Sequence, residues 1–303
     1  MFAVWPLASA ASILSPDPTA PVPMVASSTD STSAAETLAL TQDATTRLTL
    51  SVMVNGQGPF DFLVDTGSDR TVISRELALK LGLPPGPRVV IHESAGADNV
   101  GTVLIDHLTV GNRTINHIEA PSLSAFNLGA AGMLGVDALR DLHLVMDFRA
   151  MRLASAPSRA EPMDDHTITV HGRSRFGQLI LTDAHIRGVS VLVMLDSGSQ
   201  LSVGNPALLK LLTGRGMDPG SRKTTDILTV TGRRMQVELD PIDEAQLGGI
   251  TIRHMSLAFA QLHVFDRFGL TQRPALLLGM DVLSLCRKVT VDLRRHEATF
   301  TLN

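Results

Sequence analysis

From about residue 48 to its end, the chain is a succession of short apolar and β-branched runs broken by Gly, Asn and Asp. Leu48–Val54, Arg88–His92, Val100–Ile105, Ile168–His171 and Gln178–Leu181 are runs of this kind. Their length and their turn-forming borders predict strands. Two segments instead repeat their apolar positions at helical spacing, Ser74–Leu81 (SRELALKL) and Asn205–Leu212 (NPALLKLL). The second opens with Asn in the N-cap position and Pro at the first helical position. The pattern therefore predicts a mostly β protein with few, short helices.

The first 46 residues follow neither period. Residues 1–15 are small and apolar, and no Lys or Arg occurs before Arg47. Ala8-Ser9-Ala10 resembles a signal-peptidase site, but a basic leading region is missing and Pro6 interrupts the apolar run. Residues 16–46 are rich in Pro, Ser, Thr and Ala, the composition of a linker. Residues 1–44 thus read as a signal remnant followed by a disordered linker, with a periplasmic or secreted location if the signal acts and a cytoplasmic one otherwise. No run of 18 apolar residues occurs, so no integral membrane span is expected.

The chain also repeats itself. Residues 60–69 read FDFLVDTGSD and residues 190–199 read SVLVMLDSGS, each an apolar run ending in Asp-(Thr/Ser)-Gly-Ser. The two aspartates, Asp65 and Asp196, lie 131 positions apart, as do Thr66 and Ser197. Three further landmarks follow in the same order in both halves: the two helical segments, then Met133-Leu-Gly-Val-Asp137 against Leu277-Leu-Gly-Met-Asp281, then Leu144-Val-Met-Asp-Phe-Arg149 against Val289-Thr-Val-Asp-Leu-Arg294. The later pairs are spaced by about 13 residues more than the first, so the second copy carries an insertion in its middle. The domain reading is an N-terminal lobe over 45–155, an interlobe linker over 156–166 around the sequence SAPSRAEPMDD, and a C-terminal lobe over 167–303.

Composition removes several classes of function. One Cys excludes an intramolecular disulfide framework and a CxxC zinc cluster. The thiol, Cys286, adjoins an apolar stretch and reads as a buried structural residue. A net charge of −4 gives no reason to expect nucleic-acid binding. The ten His form no HExxH motif and no i, i+4 pair, and no Gly-x-Ser-x-Gly elbow occurs. No metal and no cofactor is expected. Gly214–Gly220 reads as a plain turn. The basic cluster His171-Gly-Arg-Ser-Arg175 reads as a solvated loop, with contact to an acidic substrate as the alternative.

The repeated motif has a chemistry of its own. Asp at the end of an apolar strand sets a carboxylate at the mouth of a core, a hydroxyl residue ties the turn, and Gly lets the backbone come close to its neighbour. A pseudo-twofold axis relating two such units brings Asp65 and Asp196 together. Two carboxyls at close range share one proton and their apparent pKa values separate. Such a pair is a general acid–base device for hydrolysing an amide with neither metal nor covalent intermediate. The duplicated Asp137 and Asp281 read as residues favouring helix N-termini, and Asp147 and Asp292 as strand-end turns or ion pairs.

On Asp65-Thr66-Gly67-Ser68, Asp196-Ser197-Gly198-Ser199, Met133-Leu134-Gly135 and Leu277-Leu278-Gly279, residues 45–303 resemble the pepsin/retropepsin aspartic proteases, in particular the bacterial single-chain retropepsin-like group. The resemblance implies a bilobal acid-protease fold of two similar β-barrel-like lobes related by a pseudo-twofold, with a peptide cleft between them. It implies Asp65 and Asp196 as the catalytic pair, Thr66 and Ser197 as a cross-lobe hydrogen-bond grip, and Ser68 and Ser199 as donors to the carboxylates. Gly135 and Gly279 take the structural-glycine positions. Flap hairpins are expected at Val89–Ile105, with a tip at 94–99 including Ser94, Ala95 and Gly96, and at Asp226–Leu239, turning at Thr231-Gly232. Two flaps resemble the symmetric retroviral dimer more than pepsin, whose single flap carries a functional Tyr; this chain has no Tyr. The expectation is an aspartic endopeptidase acting on polypeptides as a monomer with an intramolecular dyad. The alternative is a peptide-binding or adaptor protein that keeps the cleft without turnover.

Overall fold

A computed structural model describes residues 4–6, 36–39, 41–42, 47–139, 143–156, 166–176, 178–218, 223–292 and 294–303. Among them strands dominate and the helices are short. The two motif-bearing runs become strands, Gln57–Val64 and Leu192–Leu195. Both are apolar without alternation at their ends because both faces are covered. Phe62 and Val64 enter one core cluster while Leu63, between them, enters another. In the second lobe, Val193 and Leu195 face the first of these cores and Met194 a third.

The lobes share one strand order. In the first it runs Leu48–Val54, Gln57–Val64, Gly132–Leu134, Val72–Ser74, Arg113–Leu123, Gly96–Val110, Pro85–Glu93, and Leu48–Val54 also pairs with Gly96–Val110, curling the sheet on itself. In the second it runs Gln178–Leu181, Leu192–Leu195, Ala275–Leu278, Val203–Gly204, Ile250–Phe259, Arg234–Leu247, Lys223–Thr229. The strand ending at each motif aspartate is flanked by a parallel partner, Leu134 opposite Val64 and Leu278 opposite Leu195. A further sheet joins the lobes: His143–Asp147 pairs with Lys288–Asp292, in the register Leu144 to Val291. The fold is therefore mostly β and bilobal.

Helix placement follows the capping residues. Ser74 accepts from the N–H of Leu77 at the start of Arg75–Lys80, and Asn205 from that of Leu208 at the start of Pro206–Gly214. Ser74 and Asn205 lie at the same offset as the two aspartates.

One part of the predicted N-terminal linker is corrected. Glu36–Ala39 pairs with Arg152–Ala156, and Thr41–Gln42 with Leu48–Val54. An exposed sheet edge supplies hydrogen bonds to a segment whose composition alone reads as linker. Apart from these pieces and Val4–Pro6, the predicted signal remnant and linker lie outside the described residues, as does most of the predicted interlobe linker. No helix among the described residues is long and apolar enough to cross a membrane.

Candidate active site

Each motif aspartate leaves its strand at the interface between the lobes. The N–H of Asp65 donates to the carbonyl of Leu134 at 3.0 Å, and that of Asp196 to the carbonyl of Leu278 at 3.0 Å. The apolar-apolar-Gly elements thus hold the two loops from beneath. Behind them, Thr71 and Ser202 donate to Asp137 and Asp281 through both main-chain and side-chain groups. Asp137 and Asp281 therefore brace the strand after each loop, beyond their helix-end position. Asp147 and Asp292 accept main-chain N–H groups two or three residues on, as turn residues.

Thr66 and Ser197 meet across the pseudo-twofold. The Thr66 N–H donates to Ser197 Oγ at 3.1 Å and the Ser197 N–H to Thr66 Oγ1 at 3.2 Å. Each hydroxyl then donates onward across the interface, Thr66 Oγ1 to the carbonyl of Leu195 and Ser197 Oγ to that of Val64. All four groups are buried, so each bond satisfies a polar group that water does not reach.

Gly67 and Gly198 set how close the loops come. A Cβ on Gly67 would lie 2.6 Å from Asp196 Cγ, and one on Gly198 would overlap the Asp65 carboxyl group. Any side chain at either position displaces the opposite carboxyl. Both aspartates have 0 % exposure. Asp65 Oδ1 accepts from the Gly67 N–H at 2.8 Å; Asp196 Oδ1 accepts from the Gly198 N–H at 2.9 Å and the Ser199 N–H at 3.1 Å. The outer oxygens, Oδ2 of each, receive no donor from any other described residue.

Ser199 meets the expectation through its main-chain N–H to Asp196, whereas the hydroxyls of Ser68 and Ser199 do not. Their hydroxyls donate to carbonyls two residues on, those of Arg70 and Leu201, each at 2.8 Å, and not to the carboxylates. A hydroxyl has one proton to give, and the turn carbonyl takes it. Ionised carboxylate is favoured here by main-chain N–H groups instead.

Burial raises both carboxyls above the ordinary carboxylate range. Asp196 is raised well above it, because burial is joined by the charge of Asp65. For Asp65 burial is opposed by the Gly67 N–H, by Asp196 and by the charge of Arg47. The two carboxyls therefore share a proton, and the charge of Arg47 acts on Asp65 to favour its ionised form.

Both predicted segments form hairpins. The first joins Pro85–Glu93 to Gly96–Val110 through Ser94-Ala95. Gly96 opposes Glu93, so Gly96 through Asn99 belong to the return strand and the tip is tighter than predicted. The second joins Lys223–Thr229 to Arg234–Leu247 and turns at Thr231-Gly232, where the Gly232 N–H donates to the Thr229 carbonyl.

The hairpins touch each other and the opposite lobe. Arg233 pairs with Asp98 and lies 3.8 Å from the buried Glu93. Val230 packs with Ile91 and Met133. The Ser94 carbonyl accepts from the His263 N–H at 2.9 Å, and His92 Nδ1 lies 2.8 Å from His263 Nε2 with the rings stacked. Beside this junction Arg267 pairs with Asp69 at 2.5 Å. A cavity of about 350 Å³ lies between the first loop and the first hairpin, lined by Ser68, Asp69, Arg70, Ile91, His92 and Arg267. His92, Glu93, Arg233, His263 and Arg267 gave no signal in the sequence, because their partners come from distant segments. Cys286 stays apart from all of this; burial pushes its thiol up to about 11, which leaves it unreactive.

Residues 50–141 match the family model of the gag-polyprotein aspartyl proteases, and residues 182–282 match the aspartyl protease family model. Each match spans one Asp-(Thr/Ser)-Gly-Ser loop and one apolar-apolar-Gly element. The chain is a two-lobed member of the retropepsin-like aspartyl proteases. No curated protein matches it. The retropepsin-like lobes stand in tandem, so one polypeptide holds both loops. Among the described residues no cluster of His, Cys, Asp or Glu is arranged to hold a metal ion.

Proposed function

We propose that the chain is an aspartic endopeptidase in which Asp65 and Asp196 of a single polypeptide form the catalytic dyad. The observation that carries this reading is the meeting of two fully buried carboxyls, each with Oδ1 fixed by main-chain N–H groups and Oδ2 without another protein donor. The buried charge of Arg47, acting on Asp65, favours a cycle that starts with Asp65 ionised and Asp196 protonated. Ionised Asp65 takes a proton from water, whose oxygen bonds to the carbonyl carbon, while protonated Asp196 gives its proton to the carbonyl oxygen. The product of this step is a neutral gem-diol. Asp65 then gives its proton to the amide nitrogen, Asp196 takes one from a gem-diol hydroxyl, and the C–N bond breaks. The carboxyl and amine products leave, and both aspartates return to their starting states.

The substrate is a polypeptide laid between the dyad and the two hairpins. With no Tyr in the chain, contact with the peptide falls to the hairpin main chain and to residues such as Ser94 and Thr231. Both carboxyls being intramolecular, the active form is a monomer. Incubation with a diverse peptide mixture between pH 4 and 7, with products mapped by mass spectrometry, tests the reading. Reproducible cuts that vanish in Asp65→Asn are expected; a cut pattern identical in the variant overturns it.

A further inference from the structure

One motif of the sequence is not absorbed by the dyad or the hairpins: the basic cluster around Arg173 and Arg175. Both lie on Thr167–Arg175, which pairs with Gln178–Leu181 in the register Arg173 to Ile180 and Arg175 to Gln178. Side chains two apart share a face of a strand, so Arg173, Arg175, Gln178 and Ile180 share one face of this hairpin. Gln178 on that face reaches the first dyad loop, its Nε2 donating to the Gly67 carbonyl at 2.5 Å.

A pocket of about 520 Å³ opens on this face. Arg173, Arg175 and Arg273 line it together with Thr182 and Ser190, and Ile180 and Phe268 are among its apolar residues. No Asp or Glu lines it. The side chains of Arg173 and Arg273 make no hydrogen bond or ion pair with a described residue. On a chain of net charge −4, this concentration of positive charge is local.

A run of direct contacts links the pocket to the candidate active site. Arg175 donates to the Phe268 carbonyl and lies over the Phe176 ring. Arg267 lies over the same ring, 5.1 Å from its centre, and pairs with Asp69, four residues after Asp65. The positive face is specific to the second lobe: at the repeat offset, Arg173 and Arg175 correspond to Gln42 and Ala44 of the first.

We propose that the pocket lined by Arg173, Arg175 and Arg273 docks an acidic segment of the polypeptide substrate, extending the cleft beyond the dyad; this rests on the endopeptidase reading. Forked guanidinium donors match carboxylate oxygens, and the apolar lining residues suit the methylene stems of Glu side chains. Positive charge at one end of a cleft also draws an acidic chain in and fixes its direction.

Binding of a fluorescent hexa-glutamate peptide to the full-length protein, read by anisotropy, tests this without requiring turnover. Hexa-glutamate binds and hexa-glutamine does not. Arg173→Gln/Arg273→Gln weakens binding by about tenfold, the size of two exposed charge contacts, and Arg173→Lys/Arg273→Lys restores most of it. Both positions are exposed, so the variants keep the fold, checked by thermal melting. Equal affinity in the parent and the Gln variant overturns the proposal. So does displacement by inorganic phosphate at or below the concentration of competing peptide carboxylates, which assigns the pocket to a free anion. In a second arm, cleavage of a peptide with an acidic flank loses kcat/KM through KM in the Gln variant, while a Gln-flanked peptide is unaffected. Absence of all cleavage counts against the endopeptidase reading alone, and the binding arm still decides the pocket.

Discussion

Arg47 and Gln178 occupy the same position in the two lobes, at the 131-residue offset that separates Asp65 from Asp196, and only one of them is charged. Arg47 is buried, donates to the Leu128 carbonyl, and lowers Asp65 through its charge. Gln178 is buried too and donates to the Gly67 carbonyl. The pseudo-twofold is thus broken electrostatically beside the dyad, with the positive charge on the Asp65 side.

The first prediction follows from that asymmetry. Arg47→Gln gives the first lobe the residue of the second and removes a charge that favours ionised Asp65. Asp65 then holds its proton to higher pH. The acid limb of the pH profile of kcat/KM, which reports the group that must be ionised in the free enzyme, moves upward. An unchanged acid limb in a folded variant shows that Arg47 does not set the dyad's polarity.

The dyad also predicts how stability depends on pH. Burial raises both carboxyls in the folded state, so the native protein holds protons that the unfolded chain has released. The dyad's contribution to stability is therefore fully present at acid pH and is lost as pH rises from the ordinary Asp value of 3.8 through the raised native values. Asp196→Asn removes one of the two raised groups. Denaturant unfolding across pH 4 to 8 should show a flatter profile for the variant, with a gain over the parent at the neutral end. A parallel pair of profiles contradicts the burial argument.

The Ser197 hydroxyl serves two partners at once, and Ser197→Ala removes both. The Thr66 N–H loses its acceptor and the Val64 carbonyl its donor, both inside the interface. An unsatisfied buried group costs about 1–3 kcal/mol, so urea unfolding should report a loss of about 2 kcal/mol or more. Ser197→Thr keeps the hydroxyl and should retain most of the stability.

The first hairpin is tied to the second lobe through His92 and His263. Their ring nitrogens share one hydrogen bond, which needs one donor and one acceptor, hence at least one neutral ring. Burial lowers His92, and the charges of Arg267 and His263 lower it further while Asp69 opposes them. A lowered His keeps the contact at neutral pH and loses it as pH falls through that depressed value. Hydrogen exchange at 92–96 should quicken on acidification. His263→Ala should show fast exchange there already at pH 7, with little further change.

The sequence read in this way is most informative where a feature is both local and duplicated. The Asp-(Thr/Ser)-Gly-Ser loops and the apolar-apolar-Gly elements repeat in order, and each, like the hairpin near Thr231-Gly232, is specified by residues adjacent in the chain. The Arg47–Gln178 relation obeys the same offset and is visible to anyone who extends the repeat upstream of the aspartates. The hairpin contacts are different in kind. His92 meets a histidine 171 residues away and Arg233 an aspartate 135 residues away, and no periodicity announces pairs made by lobe closure. The serine hydroxyls of the two loops turned to nearby carbonyls because hydrogen-bond direction is chosen by geometry within a turn, which residue type alone leaves open. Glu36–Ala39 became a strand for a similar reason: its partner supplies the order that its own composition lacks.

The central claim, that one chain contributes two carboxyls with separate and indispensable roles, is tested most directly by the turnover of Asp65→Asn and Asp196→Asn as separate single variants. Each is assayed as a monomer verified by sedimentation, against the peptides the parent cleaves. The account predicts that both variants fold and that neither cleaves. Near-parental turnover in either one would contradict it.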